Sequence, residues 1–322
     1  MKLDNWTRAI SPFHEGEMAI QTRAGVRQKA EVIGRRFIRD FMPDQHREFY
    51  QQLPFIFVGS LDEQQRPWAS ILTGQAGFIY SPDNVMLNFQ AKPLVGDRLQ
   101  ENLSTDANLG FLGIELATRR RNRINGRVTA VTDTGFALQV TQSFGNCPQF
   151  IQKRQLQWLP EKSKNLTSQA QVFDHFTLEM RELISHTDSF FIASSFSDAK
   201  NEGNQGVDVS HRGGKPGFVK IEGDRQFIFP NFTGNNFYNT LGNIHLNNRV
   251  GVLFVDFETG HLLSLTGTAE IIWTGEDLTN FQGAEQLIRI TAEEIISLPE
   301  TLPYRWEFEE YSPAHEFVGD WS

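Results

Sequence analysis

Short runs of β-branched and aromatic residues, each followed by a polar or glycine-containing turn, dominate residues 55–131 and recur in residues 190–273. Such alternation over four to eight residues is typical of antiparallel strands. Each stretch is predicted to hold six strands and one short helix, and the helices are too few and too short for parallel crossovers. The predicted strands are Phe55–Ser60, Pro67–Leu72, Gly77–Tyr80, Val85–Phe89, Leu109–Glu115 and Asn122–Val131, then Phe190–Ser195, Gly206–Arg212, Gly217–Ile221, Gln226–Phe229, Val250–Phe257 and Leu262–Trp273; the predicted helices are Val95–Leu103 and Asn236–Ile244.

The two stretches resemble each other in sequence. "WASILTGQAGFI" aligns with "DVSHRGGKPGFV" at an offset of 140 residues, and "ENLSTDANLGFLGIEL" aligns with "GNIHLNNRVGVLFVDF" at 141, as "NGRVTAV" does with "TGTAEII". Upstream, "FIFVGS" aligns with "FFIASS" at 135, which assigns about five extra residues to the loop "FSDAKNEGNQG" of the second copy. The order of these matches predicts an internal duplication. The fold class is therefore mainly β, with two tandem six-stranded antiparallel barrels.

The segments around the two copies have weaker patterns. We predict a helical N-terminal segment over about Gly16–Phe41, a helix over about Gln169–Ser185, and a last strand in "YRWEFEEY". The stretch "TGEDLTNFQGAEQLIRITAEEIISLPE" is interpreted as loop-rich with helical patches. The predicted domains are a helical segment 1–45, a first barrel 46–160 and a second barrel 161–322, joined by a linker that contains Pro160, Lys162 and Lys164.

Composition and charge narrow the function. The 322 residues are 39% hydrophobic and 21% charged, with 27 phenylalanines, which is enough apolar material for a large core. A net charge of −9 argues against a general nucleic-acid binder. The chain shows neither a signal-peptide pattern nor an apolar run of about 18 residues, so we expect a cytoplasmic protein without a membrane role. The single cysteine excludes an internal disulfide and a cysteine-rich zinc site.

Several motifs of known chemistry are missing. There is no Gly-x-Gly-x-x-Gly or Walker loop, and the eight histidines lack metal-ligand spacing, so we predict no metal. Cys147 is interpreted as a small, partly buried apolar residue rather than a nucleophile. "TRRRNR", Thr118–Arg123, is interpreted as a solvated hairpin turn in preference to a ligand or interface role.

The second copy contains a candidate phosphate site. Thr233, Gly234, Asn235 and Asn236 are predicted at the start of the short helix, where free N–H groups and the helix dipole favour an anion. The strand with Ser210, His211 and Arg212 would add a hydroxyl and cationic donors. The alternative is that Thr233 or Asn235 only caps the helix and Arg212 forms a surface ion pair, and these residues alone leave both open.

The first copy differs at the same positions. Ser70, Ile71 and Leu72 occupy the places of Ser210, His211 and Arg212, so apolar residues replace the histidine and the arginine. This difference is expected if one copy alone keeps a phosphate site.

These motifs carry a family resemblance. "DVSHRGGKPGFV", "FPNFTGNNFYNTLGNI" and "GVLFVDFETGHLLSLTGTAEI", with "FHEGE" and "SFGNCPQFIQKR" upstream, resemble an FMN-binding subgroup of the pyridoxamine 5′-phosphate oxidase superfamily that has two tandem split barrels. The resemblance extends from about Phe13 to Ile272. It implies FMN as the cofactor, although the role of the Phe13–Glu17 segment is not specified.

In single-barrel members of that superfamily FMN lies in a groove between two subunits. The resemblance implies that the two barrels of this chain form an intrachain pseudo-dimer, which could dimerise again, and it implies three groups of cofactor-binding residues. These are Ser210, His211 and Arg212 on one wall; Phe229, Pro230 and Asn231 beside the isoalloxazine or ribityl chain; and Thr233, Asn235 and Asn236 at the phosphate.

The turn before the helix departs from the oxidase. Gly234-Asn235-Asn236 stands where the oxidase has Ser-Arg-Lys, which removes two phosphate-binding cations, and Lys215 compensates only in part. The resemblance also implies a set of arginine and histidine residues near the C-terminus that binds the phosphate of the substrate, and "YRWEFEEYSPAHEF" has no counterpart of it, so pyridoxamine phosphate is not expected as the substrate. We expect an FMN-dependent oxidoreductase whose partner is a small-molecule substrate or an electron donor such as NADH or NADPH, with unidentified catalytic residues. The alternatives are a non-catalytic flavin or haem carrier and a cofactor-free interaction protein.

Overall fold

The computed structural model describes residues 5–159, 169–198 and 203–321. The predicted linker residues Pro160, Lys162 and Lys164 lie outside these ranges, as do residues 199–202 of the loop "FSDAKNEGNQG". The element numbers below refer to the described residues.

The first half of the chain contains three helices followed by a seven-stranded antiparallel sheet. Its strand order is β2-β1-β5-β6-β7-β4-β3. A short helix, α4, lies between β4 and β5. The elements are α1 Glu15–Arg23, α2 Arg27–Phe37, α3 Asp44–Gln52, β1 Phe55–Leu61, β2 Pro67–Thr73, β3 Ile79–Tyr80, β4 Met86–Phe89, α4 Leu99–Asn102, β5 Asn108–Glu115, β6 Arg120–Thr132 and β7 Gly135–Gly145.

The second half repeats this topology. Its sheet has the strand order β11-β10-β14-β15-β16-β13-β12, which is the first order with each strand replaced by its counterpart. Strand β9 pairs with β16, and β8 pairs with β17 as a separate two-stranded sheet. The elements are β8 Lys153–Trp158, β9 Gln171–Phe173, α5 Leu178–His186, β10 Ser189–Phe196, β11 Gly206–Gly213, β12 Lys220–Glu222, β13 Gln226–Phe232, α6 Asn239–Leu246, β14 Arg249–Val255, β15 Leu262–Ile272, α7 Glu276–Asn280, β16 Ala284–Leu298 and β17 Tyr304–Glu310.

The mainly β fold with two barrels is confirmed, and each copy has one strand more than predicted. The six predicted strands of each copy are present, and the additional strands are β7 and β16. The interpretation of "TGEDLTNFQGAEQLIRITAEEIISLPE" as loop-rich was wrong, because most of it forms the 15-residue strand β16. Its charged residues, such as Arg289 and Glu293, alternate with buried Ile288, Ile290 and Ala292, which is a half-buried strand pattern.

All four predicted helices have different bounds, and the helix of the first copy, predicted over Val95–Leu103, is the shorter α4 Leu99–Asn102. The N-terminal helical segment is divided into α1 and α2, and the helix predicted from about Gln169 begins at Leu178, after strand β9. The helix of the second copy begins at Asn239 instead of Asn236. Asn236 and Tyr238 have positive φ angles of 61° and 60°, a left-handed conformation that a right-handed helix does not contain. The predicted strand in "YRWEFEEY" is present as β17.

The strand register corrects one internal alignment. Phe57 pairs with Leu112 and Phe191 pairs with Leu253, so Phe57 corresponds to Phe191 at an offset of 134 instead of 135. Equivalent hydrogen bonds support this: Asn102 donates to Ser60 over 2.9 Å, and Asn243 donates to Ser194 over 3.1 Å. A one-residue error matters because it exchanges the two faces of a strand.

The barrels pack against each other through their first strands. Phe57 of β1 stacks on Phe191 of β10 with 3.4 Å between ring centroids. Trp68, Val209 and Leu253 belong to the same buried apolar cluster, which therefore joins the two barrels. Each barrel also has its own apolar interior. The two barrels of this chain thus form the predicted pseudo-dimer.

Candidate anion-binding cleft between the barrels

A polar cleft lies where β6 of the first barrel approaches β11 of the second. The first barrel contributes Arg121, Arg123, Asn146 and Cys147, and the second contributes β11 and the segment that leads into α6. The cleft has a cavity volume of about 110 Å³ within about 630 Å³ of empty space that includes open solvent. An adjoining space continues past Cys147 to Phe150, whose ring stacks on Phe232 with centroids 4.7 Å apart.

Strand β11 brings three predicted site residues to this cleft. Ser210, His211 and Arg212 all line it. The Ser210 hydroxyl accepts hydrogen bonds from Arg123 and, over 3.1 Å, from the Thr240 hydroxyl at the start of α6. Arg212 donates from Nη1 to the Asn231 side-chain oxygen over 2.8 Å, while its Nε has no partner. The strand, the helix start and the first barrel therefore meet in one cleft.

His211 lines the cleft and carries a buried ring nitrogen without a hydrogen-bond partner. Burial lowers the pKa of this imidazole well below its usual value, with further lowering by Arg121, Arg154 and Arg212, so the ring is neutral at pH 7. Arg121 donates to Nδ1 over 3.3 Å, which leaves the proton of the neutral ring on Nε2. The side chain is 6% exposed and its Nε2 has no hydrogen-bond partner. A buried N–H without a partner favours an acceptor atom on a ligand.

Three arginines give the cleft a positive charge. Arg123 forms a salt bridge with Asp208 over 3.2 Å, and among the described residues no other carboxylate pairs with Arg121, Arg123 or Arg212. Three guanidinium groups less one carboxylate leave two positive charges. Burial and the neighbouring arginines lower the pKa of Arg212 to about 9, and burial lowers that of Arg121 to about 10. Both remain cationic at neutral pH, so an anion that entered the cleft would be stabilised.

The turn before α6 forms the opposite wall. Asn235 and Asn236 line the cleft, and the Asn235 side chain accepts a hydrogen bond from the Phe237 backbone over 3.1 Å. Asn239 and Thr240, in the first turn of α6, line it as well. The first N–H groups of a helix lack intrahelical partners, so this wall adds donors for an anion.

The remaining predicted residues are divided between cleft and core. Pro230 and Asn231 line the cleft or its extension, and so does Thr233, whose hydroxyl donates to Glu285 over 2.8 Å. Phe229 is fully buried among the aromatic rings of the second barrel and does not line the cleft, because its side chain points to the other face of β13. Lys215 lies in the turn after β11 and does not line the cleft either; its charge acts on His315. Neither residue is therefore placed to bind a ligand there.

The four cleft residues of the first barrel, Arg121, Arg123, Asn146 and Cys147, were not assigned to the site from the sequence. The interpretation of "TRRRNR" as a solvated turn was wrong for its last four residues, which begin β6, so Arg121 and Arg123 extend from one face. The spacing Arg-x-Arg is the signal that would have indicated this. Cys147 is partly exposed and lines the cleft, and its backbone oxygen accepts from Arg121 over 2.6 Å.

The segment "FHEGE", Phe13–Glu17, is connected to the residues around the cleft by buried hydrogen bonds. His14 caps α1 and contacts Asn243 over 2.9 Å, and Asn243 donates to Asp208 over 2.9 Å. Glu17 accepts from the His14 backbone and from the Asn239 side chain. This buried network connects α1, the start of α6 and the carboxylate that orients Arg123.

Replacing Glu17 with glutamine is expected to change how stability depends on pH. Burial and the nearby Asp208 carboxylate raise the pKa of Glu17 well above its usual value, so the folded protein holds a proton that the unfolded chain loses above pH 4.5. Stability from this group is complete below pH 4.5 and falls by up to about 1.4 kcal/mol per pH unit until the raised pKa is reached. Urea unfolding at pH 5 and pH 8 measures the effect. Between these pH values, the free energy of unfolding should fall less in the Glu17→Gln variant than in wild type.

The exposed Glu15, in the same turn of α1, provides the control. Glu15→Gln should follow the wild-type pH dependence. An equal loss of stability between pH 5 and pH 8 in wild type, Glu17→Gln and Glu15→Gln would contradict the assignment of a proton to buried Glu17.

The equivalent groove on the other side of the pseudo-dimer is closed. By strand register, Leu262 and Ser264 correspond to Arg121 and Arg123, and Ile71 corresponds to His211. Ile71, Leu262 and Leu94 are buried together in the apolar cluster between the barrels. The two grooves therefore differ: one is cationic and open, the other apolar and filled.

Part of the chain matches a known protein family. Residues 42–163 match the family model described as pyridoxamine 5′-phosphate oxidase. The first barrel is therefore similar to that family. The resemblance seen in the sequence is thereby confirmed, and the match includes the cleft residues Arg121, Arg123 and Cys147.

Several solved structures are similar to part of the chain at low identity. HupZ from Group A Streptococcus is 23% identical over 38% of this chain and 94% of its own, with a TM-score of 0.30. A FAD-binding protein from Mesorhizobium loti is 12% identical over 40% of this chain and 96% of its own, with a TM-score of 0.27. Comparison with curated proteins gave no match.

Two further searches were limited to the part of the chain that the structure describes. No group of three or more His, Cys, Asp or Glu side chains there is arranged to hold a metal ion. None of the helices there has the length and apolarity needed to cross a membrane.

Proposed function

We propose that this protein binds FMN in the cationic cleft between its two barrels and acts as an oxidoreductase. The observation that carries the proposal is the set of donors directed into one groove of a split barrel. It comprises three guanidinium groups with two uncompensated charges, the partnerless Nε2–H of His211 and the first turn of α6.

The donor set fits a phosphate monoester. Such a group carries about −1.5 to −2 charge at pH 7, which matches the two uncompensated positive charges. Arg212, with a free Nε, and Thr240, at the helix start, are positioned to bind its oxygens. The extension of the cleft past Cys147 to the stacked rings of Phe150 and Phe232 gives the rest of the cofactor an aromatic surface.

The chain contributes binding and orientation rather than an identified acid or base. Bound FMN would supply hydride or electron transfer. His211 is neutral and can donate one hydrogen bond from Nε2, and the rings of Phe150 and Phe232 shield part of the cleft from water. NADH or NADPH as electron donor, and a second association of two pseudo-dimers, remain proposals. Pyridoxamine phosphate is not proposed as the substrate, because the C-terminal "YRWEFEEYSPAHEF" has no counterpart of the oxidase's arginine and histidine set for the substrate phosphate.

One FMN per chain is the expected stoichiometry, because the equivalent groove is filled by Ile71, Leu94 and Leu262. We expect titration of the purified apoprotein with FMN to saturate at one equivalent, with a shifted flavin absorption band and quenched fluorescence. Addition of NADH or NADPH with measured turnover then separates an enzyme from a carrier. Absence of any spectral change would refute flavin binding, and saturation at two equivalents would refute the closed second groove.

A further inference from the structure

We propose that Arg121 and Arg123, which belong to the first barrel, bind the same phosphate as Arg212 of the second, so that the anion connects the two barrels. The proposal rests on the proposed function and assigns the phosphate-binding cations. It reverses the sequence interpretation that two such cations are lost and that Lys215 partly replaces them.

The position of the arginines supports this assignment. Arg121 and Arg123 are two residues apart on β6 and line the cleft that also contains Ser210, Arg212 and Thr240. Arg123 donates to the Ser210 hydroxyl, which Thr240 also contacts, so its guanidinium group lies beside the start of α6. Besides burial, Arg123 and Arg121 lower the pKa of Arg212, and Arg123 lowers that of Arg121, so these cations repel one another and an anion between them would be favoured.

The arginines are held in place before any ligand binds. Arg121 donates to the Cys147 backbone oxygen over 2.6 Å and to His211 over 3.3 Å. Arg123 is fixed by Asp208, yet its Nε is buried without a partner. Because their side chains are already ordered, binding an anion costs little further conformational entropy.

The contacts of Arg121 and Arg123 also fit a purely structural role for both residues. Arg121 could serve only to hold the loop of Cys147, and Arg123 only to neutralise Asp208. Both roles would use these contacts, but neither explains two positive charges without a carboxylate partner among the described residues. The two alternatives make different predictions for Arg121. If it binds the phosphate, its loss weakens the binding of FMN and phosphate but not that of riboflavin; if it is only structural, its loss does not distinguish between these ligands.

The test compares three ligands on four proteins. FMN and riboflavin binding are measured by quenching of flavin fluorescence, and inorganic phosphate by the shift in melting temperature. The proteins are wild type, Arg121→Gln, Arg121→Lys and Arg127→Gln. Arg127 is the matched control, because it lies on the same strand, is 55% exposed and pairs with Asp106 outside the cleft.

We expect Arg121→Gln to weaken FMN binding about tenfold or more and to abolish the phosphate-induced shift, while riboflavin affinity stays within about twofold of wild type. Arg121→Lys should recover part of the FMN affinity, since it keeps the charge but loses the planar donor pair. Arg127→Gln should match wild type for all three ligands.

Two results would overturn the proposal while leaving flavin binding intact. One is equal FMN affinity in Arg121→Gln and Arg127→Gln; the other is equal affinity of wild type for FMN and riboflavin. Failure of the proposed function looks different, since wild type would then bind neither flavin. A phosphate-induced shift in wild type that Arg121→Gln loses would still support the anion site in that case.

Arg123 needs a second variant because its removal leaves the buried Asp208 without a partner. The double variant Arg123→Gln/Asp208→Asn removes both charges together. Weaker FMN binding at unchanged riboflavin affinity would support Arg123 as a ligand of the phosphate. Unchanged FMN binding would remove Arg123 from the proposal.

Discussion

Replacing Arg212 with alanine is expected to weaken FMN binding about 10- to 100-fold. A charge-assisted hydrogen bond between a guanidinium group and a phosphate contributes roughly 1.5–3 kcal/mol, which corresponds to that range of affinity. Arg212 faces the cleft with a free Nε and is oriented by the Asn231 side chain over 2.8 Å. Equilibrium titration by flavin fluorescence measures the effect.

Lys215→Ala is the matched control for this variant. Both changes remove one positive charge within four residues of each other, but Lys215 does not line the cleft. We expect Lys215→Ala to bind FMN within about twofold of wild type, since a charge that does not contact the ligand is screened by water and salt. If Arg212→Ala and Lys215→Ala weakened FMN binding equally, the effect of Arg212 would come from its long-range electrostatic field instead of a direct contact with the phosphate. Unchanged affinity in Arg212→Ala would remove this arginine from the phosphate site.

The sequence was sufficient for the fold because local patterns encode it. Alternation along residues 55–131 predicted β1 to β6, and internal similarity predicted that the same topology recurs. Strand β16 was missed because its glutamates and arginine are typical of a solvated segment. Their alternation with apolar residues, at a period of two, is the signal that indicates a strand. The start of α6 was placed three residues too early because left-handed Asn236 and Tyr238 leave no strong signal in composition.

The site was only half predictable for a different reason. Ser210, His211 and Arg212 lie on one strand beside a polar turn, so a single segment suggested the second barrel's wall. The other wall comes from Arg121 and Arg123, about 90 residues earlier, and their role depends on how the barrels pack. Phe229 could have been assigned to the core, because alternation along β13 directs Phe227 and Phe229 to one face.

The two grooves show how similar topologies produce different chemistry. Each barrel has an asparagine that ties its short helix to its first strand, so the frame around both grooves is the same. The side chains directed into the two grooves differ, with Ile71 and Leu262 in one and His211 and Arg121 in the other. An apolar groove gains stability from burial, whereas a groove with unpaired donors needs a ligand to satisfy them.

The packing of the barrels predicts the second large effect, which is a loss of stability on replacing Gly110 with alanine. A Cβ atom at Gly110 of β5 would lie 2.2 Å from the Val207 backbone oxygen of β11. At the corresponding Gly251 of β14, it would lie 2.4 Å from the Pro67 oxygen of β2. Both clashes are with backbone, so the strands of the two barrels would have to separate instead of a side chain rotating away.

We expect Gly110→Ala to lower the free energy of unfolding by about 3 kcal/mol, which is the upper part of the range for overpacked interiors. Urea unfolding followed by tryptophan fluorescence measures it. Gly145→Ala is the control, because its Cβ would meet nothing closer than 3.4 Å and should change stability by less than about 0.5 kcal/mol.

The same variant also tests whether the cleft depends on the contact between barrels. Val207 precedes the cleft residues of β11 by three to five positions, so a displacement of β11 from β5 would also separate Arg212 from Arg121. Gly110→Ala should therefore bind FMN more weakly than Gly145→Ala under conditions where both are folded. A Gly110→Ala protein with the urea midpoint of Gly145→Ala would show that the barrels do not need the close approach at this glycine.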